Sequence, residues 1–131
     1  MKVHHIGIAV QSLEQALPVF EKLLGKPPDS EEVVAEQKVR VAMFQVGESR
    51  LELLQATSAD SPIARALSQR GQGVHHVAVA VGDLPGTLRQ LESAGVRLID
   101  REPRRGAGNT LIAFLHPAST AGVLIELVEE K

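Results

Sequence analysis

Apolar residues recur along this chain in two rhythms, alternation at every second position and the spacing of a helical face, and these rhythms take turns twice. The segment from Lys2 to Val10 is rich in Val and Ile and predicts a strand. Ser12, with Gln15 three residues on, makes a capping pattern that starts a helix. Leu13, Ala16, Leu17, Phe20, Leu23 and Leu24 share one face of that helix, and Gly25 followed by Pro27 and Pro28 ends it. Pro18, which lacks an N–H, predicts a bend or a loosened first turn. Val39 to Val46 and Arg50 to Leu54 predict a hairpin around Gly47, with a weaker strand over Glu32 to Ala35. Ser61 as cap and Pro62 at the first helical position predict a short helix reaching Arg70.

The order then repeats. Val74 to Val81 predicts a strand and Asp83 to Ala94 a helix ended by Gly95, followed by strands near 97–101, 110–115 and 123–128. Pro103 to Asn109, PRRGAGN, reads as a loop. The segment HHIGIAVQSLEQAL (4–17) aligns without a gap on HHVAVAVGDLPGTL (75–88), so that His4, His5, Ala9, Val10, Leu13 and Leu17 recur as His75, His76, Ala80, Val81, Leu84 and Leu88. Such self-similarity marks a repeated supersecondary unit. The expected fold is α+β: a single domain over 1–131 made of two βαβββ halves, at about 1–70 and 74–131, whose strands form a cupped, eight-stranded mixed sheet.

Composition narrows the partners. A length of 131 residues, 44% of them hydrophobic and 23% charged, suffices for a core without disulfides or structural metals. The net charge of -2 supplies no positive field for nucleic acid or an anionic membrane, so a small molecule is the expected ligand. Cysteine is absent, so metal ligands must come from His and carboxylates. The strand-like start at Lys2 carries no signal-peptide pattern, and a cytoplasmic protein is expected.

Within this frame the repeat singles out chemistry. His5 and His76 occupy matching positions and, by strand parity, are expected to project into one cavity. The last strand of each half carries a carboxylate inside an apolar run, Glu52 in LELL and Glu126 in LIEL. A buried, unpaired carboxylate is costly, and a metal ion compensates it. His5, Glu52, His76 and Glu126 thus form a candidate His2Glu2 set for one divalent ion. Cobalt, nickel, manganese or zinc suits these ligands better than calcium, which prefers oxygen alone. His4 and His75 point to the opposite faces by parity and read as surface or interface residues, and His116, before Pro117, reads as a turn histidine. Arg104 and Arg105 read as either an anion-binding pair or a solvated loop.

The paired HHIGIAV and HHVAVAV strands, the duplicated βαβββ order and the His, Glu, His, Glu sequence resemble the vicinal oxygen chelate superfamily, which includes glyoxalase I and extradiol dioxygenases. EQKVRVAMF (36–44), DSPIARAL (60–67), EPRRGAGN (102–109), FLHP (114–117) and GVLIEL (122–127) make the chain similar, within it, to the methylmalonyl-CoA epimerases. The resemblance implies ligands His5, Glu52, His76 and Glu126, with cobalt(II) the expected ion, a homodimer, and an acyl-CoA substrate inverted at C2 through an enolate. It implies substrate contacts at Gln37, Arg104, Arg105, Gly106 and Asn109, and a part for Glu126 in proton transfer. Val41 stands where some epimerases carry a proposed base, so the second base is not carried over. The same ligand order serves glyoxalase I, and related folds sequester small molecules without chemistry.

Overall fold

The computed structural model describes residues 1–130. Its strands are β1 Lys2–Ala9, β2 Ser30–Val34, β3 Val39–Val46, β4 Ser49–Ala56, β5 Gly73–Ala80, β6 Arg104–Arg105, β7 Thr110–Leu115 and β8 Ile125–Glu130, and its helices are α1 Leu13–Leu24, α2 Pro62–Arg70 and α3 Leu84–Ser93. This is the βαβββ order twice over, an α+β fold with an eight-stranded mixed sheet. The chain forms two compact units, one of residues 6–75 and one of residues 1–5 together with the chain from His76 onward.

In the unit of residues 6–75 the strands run in the order β2-β3-β4-β1. The β3–β4 ladder pairs Val39 with Ala56 and Val46 with Ser49, which leaves Gly47 and Glu48 to turn the chain. Gly47 takes φ 60°, a left-handed conformation that glycine adopts without a Cβ penalty. The Ser12 side chain accepts from the Gln15 N–H at 3.3 Å, and Gly25 closes α1 at φ 73° with its N–H donating to the Glu21 carbonyl at 2.8 Å. Helix α1 is continuous through Pro18. Its inner face packs on Val10, Ala42, Phe44 and Leu53, of which Phe44 and Leu53 are fully buried and contribute about 2 kcal/mol each. Leu23, expected on that face, is 70% exposed, so the apolar stripe is narrower than its spacing implied.

In the other unit the order is β1-β5-β8-β7-β6, through residues 2–5 of β1. Strands β5 and β8 are parallel, pairing Val77 with Ile125 through Ala80 with Val128, whereas β7 is antiparallel to both its neighbours. Asp83 caps α3, accepting from the Gly86 N–H at 3.1 Å, and Leu84 and Leu88 pack on Ala113, Leu115 and Leu127.

Two expectations shift here. Segment 97–101 is not a strand, for only Leu98 makes an isolated bridge, to Leu115, and the third partner in the ladder is β6, placed inside the expected loop. The cause lies in Asp100, whose side-chain oxygen, rather than a strand carbonyl, accepts the Phe114 N–H at 2.9 Å. Strand β8 begins at Ile125 instead of Val123 because Ala121 and Gly122 turn through positive φ and the Val123 N–H bonds back to the Thr120 carbonyl. Among the described residues no helix is long and apolar enough to cross a membrane.

Candidate metal centre

Adjacent central strands bring together three of the predicted ligands. His5 on β1 places its Nε2 3.0 Å from the Nε2 of His76 on β5. Glu126 on β8 places Oε1 2.8 Å from His76 Nε2 and 3.4 Å from His5 Nε2. All three residues are buried, and the His76 ring meets Phe114, which packs against an apolar patch of Ala78, Ile112 and Val128. Burial pushes the Glu126 carboxyl up, yet hydrogen bonds from His5 and His76 and their positive charge outweigh it and hold the group at about 2. The carboxylate is therefore anionic at neutral pH.

These donors fit a divalent ion. Ligand atoms bound at about 2.1 Å and at right angles lie about 3.0 Å apart, and the three separations here are 3.0, 2.8 and 3.4 Å. That spacing corresponds to three mutually adjacent coordination positions, which leaves other positions for further ligands. Two imidazoles with carboxylate oxygen favour a borderline ion. Glu52 is buried as well, on β4 opposite Met43.

The expected substrate residues have varied surroundings. Gln37 ends a short 3-10 turn over 35–37 and is partly buried. Arg104 turns towards its own unit, its Nε 3.4 Å from Asp100 Oδ1 and its guanidinium 5.6 Å from the Phe114 ring centroid. Arg105 is exposed and donates to Asn109 Oδ1 at 3.3 Å. A Cβ on Gly106 would lie 2.6 Å from Ile112 and 2.7 Å from Thr110 side-chain atoms, so only glycine fits. Val41 is buried, opposite Leu54 on β4, and offers no base. His116 is the turn histidine expected, its Nδ1 accepting from the Ala118 N–H at 3.0 Å.

His4 corrects the parity argument. Instead of lying at a surface it is buried at 3% exposure, with Nδ1 2.7 Å from Nδ1 of His5. The signal was the near-continuous apolar run KVHHIGIAV, since a strand interior to a sheet is buried on both faces. Phe114 and Asp100 also went unmarked: neither lies in the repeated segment, and a Phe in a strand signals only burial.

The profile of the Glyoxalase/Bleomycin resistance protein/Dioxygenase superfamily matches residues 4–114. The mitochondrial methylmalonyl-CoA epimerase of Bos taurus is 32% identical, over 96% of this chain and 73% of its own length. The ethylmalonyl-CoA/methylmalonyl-CoA epimerase of Cereibacter sphaeroides is 31% identical over 96% of each chain. A Streptomyces coelicolor methylmalonyl-CoA epimerase variant, solved with 2-nitronate-propionyl-CoA, superposes with a TM-score of 0.95 at 37% identity, covering 99% of this chain and 94% of that one. The chain therefore belongs to the glyoxalase/bleomycin resistance protein/dioxygenase superfamily and, within it, to the family of these methylmalonyl-CoA epimerase relatives.

Proposed function

We propose that this chain is a metal-dependent methylmalonyl-CoA epimerase that inverts C2 of the acyl group. The observation that carries the reading is the buried His5, His76 and Glu126 cluster, in a chain similar over nearly its whole length to epimerases. The relative solved with a nitronate-bearing CoA ligand supports an acyl-CoA substrate. We assign His5, Glu52, His76 and Glu126 as ligands of one divalent ion per chain, cobalt(II) first, with nickel, manganese and zinc suited to the same donors. When bound, such an ion supplies Lewis acidity at the thioester carbonyl and makes the C2 proton easier to remove.

The protein's own groups do the rest. The two imidazoles and the anionic carboxylate are held together by adjacent strands, so little reorganisation is needed on loading. Glu126 is the carboxylate we place at the C2 proton transfer. Its depressed pKa makes it a weak base, so its contribution is chiefly charge and orientation. Arg105 and Asn109, exposed and joined to one another, suit the CoA phosphates, while Arg104 steadies the wall beside them. Gly106 and Gln37 complete the proposed substrate contacts. The protein is assigned to the cytoplasm as a homodimer, without nucleic-acid or membrane partners.

The test is incubation of cobalt-loaded protein with one methylmalonyl-CoA epimer in deuterium oxide. Appearance of the other epimer with deuterium at C2 is expected. Turnover of methylglyoxal plus glutathione without C2 exchange would replace the epimerase by a glyoxalase, and turnover of neither substrate would favour sequestration.

A further inference from the structure

We infer that Arg104, held in place by Asp100 as its positioning residue, is a specificity determinant: its guanidinium takes the free carboxylate of the acyl group and so favours malonyl-type thioesters over neutral acyl-CoAs. The inference rests on the acyl-CoA reading above and deepens it.

Strand register places Arg104 on the face that carries Glu126. Arg104 pairs with Ile112 across β6 and β7, Ile112 pairs with Val128 across β7 and β8, and Phe114 pairs with Glu126. Side chains two apart on a strand, or directly opposite one another on an antiparallel pair, share a face. Arg104 therefore shares the face of Phe114 and Glu126. Arg105 pairs instead with Leu111, which belongs with Ala113 and Leu115 to the cluster packed on α3. Of the two arginines, only Arg104 is placed for the acyl end of a substrate.

The contacts of Arg104 anchor its stem and leave its fork to a ligand. Its Nε is buried, 3.4 Å from Asp100 Oδ1, and its guanidinium carbon lies 5.6 Å from the centroid of the Phe114 ring. That ring in turn meets His76, with centroids 5.7 Å apart. Asp100 is itself held, because its Oδ2 accepts the Phe114 N–H at 2.9 Å. Among the described residues no other polar group meets the guanidinium, and the Arg104 side chain is 40% exposed, so its terminal nitrogens are open to a ligand. A guanidinium fork matches a carboxylate through two parallel N–H donors. Charge balance gives the fork a task. Glu52 and Glu126 neutralise the divalent ion assigned to them, so the ligand set exerts no net pull on a further anion. Methylmalonyl-CoA brings one in its free carboxylate, and a fixed guanidinium two ring contacts from His76 supplies the attraction.

Methylmalonyl-CoA and propionyl-CoA differ by that carboxylate alone, so titrating each into cobalt-loaded protein isolates it. Arg104→Met, which keeps an apolar stem over Phe114, should raise the Kd for methylmalonyl-CoA about tenfold or more, the scale of a charge-assisted hydrogen bond, and leave that for propionyl-CoA within about twofold. Arg104→Lys keeps the charge without the fork and should fall between wild type and Arg104→Met. Asp100→Asn keeps an oxygen for the Phe114 N–H and removes the charge beside Nε. A loss of about threefold for methylmalonyl-CoA alone, at a Tm near that of wild type, is expected, which a merely structural role of Asp100 would not give. Equal losses for both thioesters in Arg104→Met would put the guanidinium on a CoA phosphate and overturn the inference, as would no loss for either. Asp100→Asn with the wild-type preference overturns the positioning role. If Arg104→Met does not fold, Arg104→Lys decides by the same comparison. Wild type binding both thioesters equally sinks the inference alone, whereas wild type binding neither sinks the acyl-CoA reading and the inference with it.

Discussion

Phe114 stands directly opposite Glu126 in the β7–β8 ladder. From that position its ring meets His76 edge to face, with centroids 5.7 Å apart and planes at 87°. Arg104 covers the ring, and Asp100 fixes both, taking the Phe114 N–H on one oxygen and lying 3.4 Å from the Arg104 guanidinium with the other. One aromatic residue thus touches a proposed ligand and the basic strand beside it. Phe114→Leu should lose about 1 kcal/mol of stability, the scale of one aromatic contact. It should also weaken cobalt(II) binding severalfold because His76 gains rotational freedom. Thermal unfolding and metal titration check this, and unchanged metal affinity would confine Phe114 to packing.

Gly106 predicts a sharper effect. Its N–H donates to the Thr110 carbonyl at 3.1 Å, and the space where a Cβ would go is taken by Ile112 and Thr110. Gly106→Ala should displace the 106–109 turn and cost about 1–3 kcal/mol, as overpacking does. Because Arg105 and Asn109 flank this turn, KM for the acyl-CoA should rise more than kcat falls. A variant with wild-type Tm and KM would show that the turn yields easily.

Legibility followed the repeat. The gap-free match of 4–17 with 75–88 located β1, α1, β5 and α3, and Ser12, Gly25, Ser61 and Asp83 mark helix ends where their chemistry predicted. The same match pointed to His5 and His76, which the structure brings to 3.0 Å. Outside the repeat, local signals misled. Arg97 to Arg101 has strand composition and keeps backbone bonds to Phe114 and His116, but the Asp100 side chain takes the Phe114 N–H, so the pairing stays an isolated bridge and the regular ladder forms further along β7, with β6. Parity placed His4 outside since it counts faces and not the layers covering them. Contacts such as Phe114 on His76 depend on register between strands far apart in sequence, and no local pattern encodes register.

The depressed pKa of Glu126 carries a prediction for acid. Its carboxyl sits at about 2 in the folded protein against an ordinary 4.5, so the folded state favours the ionised form. That contribution is complete above about pH 4.5 and is lost as pH falls towards 2. In metal-free protein, the stability of wild type relative to Glu126→Gln should therefore decline between these limits. Urea unfolding of both at pH 7, 4.5 and 3 measures it, and a difference independent of pH would contradict the stabilising role of His5 and His76.

Glu52 and Glu126 are both buried strand carboxylates, yet their substitution should not be equivalent. Glu126 lies against two imidazoles, which hold it anionic, and it is the carboxylate we propose for the proton transfer. Glu52→Gln keeps an oxygen donor at its position, so metal binding and measurable epimerisation should survive, with turnover reduced about tenfold or less, a loss near 1.4 kcal/mol. Glu126→Gln removes the anion between His5 and His76 and replaces it with an amide that accepts less strongly. Turnover should fall by more than metal occupancy does, by about a hundredfold or more at saturating cobalt(II). Both variants should fold, because each amide is nearly isosteric with the carboxylate it replaces. Elemental analysis together with epimerisation at saturating metal separates occupancy from chemistry. Equal losses in the two variants, or a more active Glu126→Gln, would refute the asymmetry and move the proton-transfer role away from Glu126.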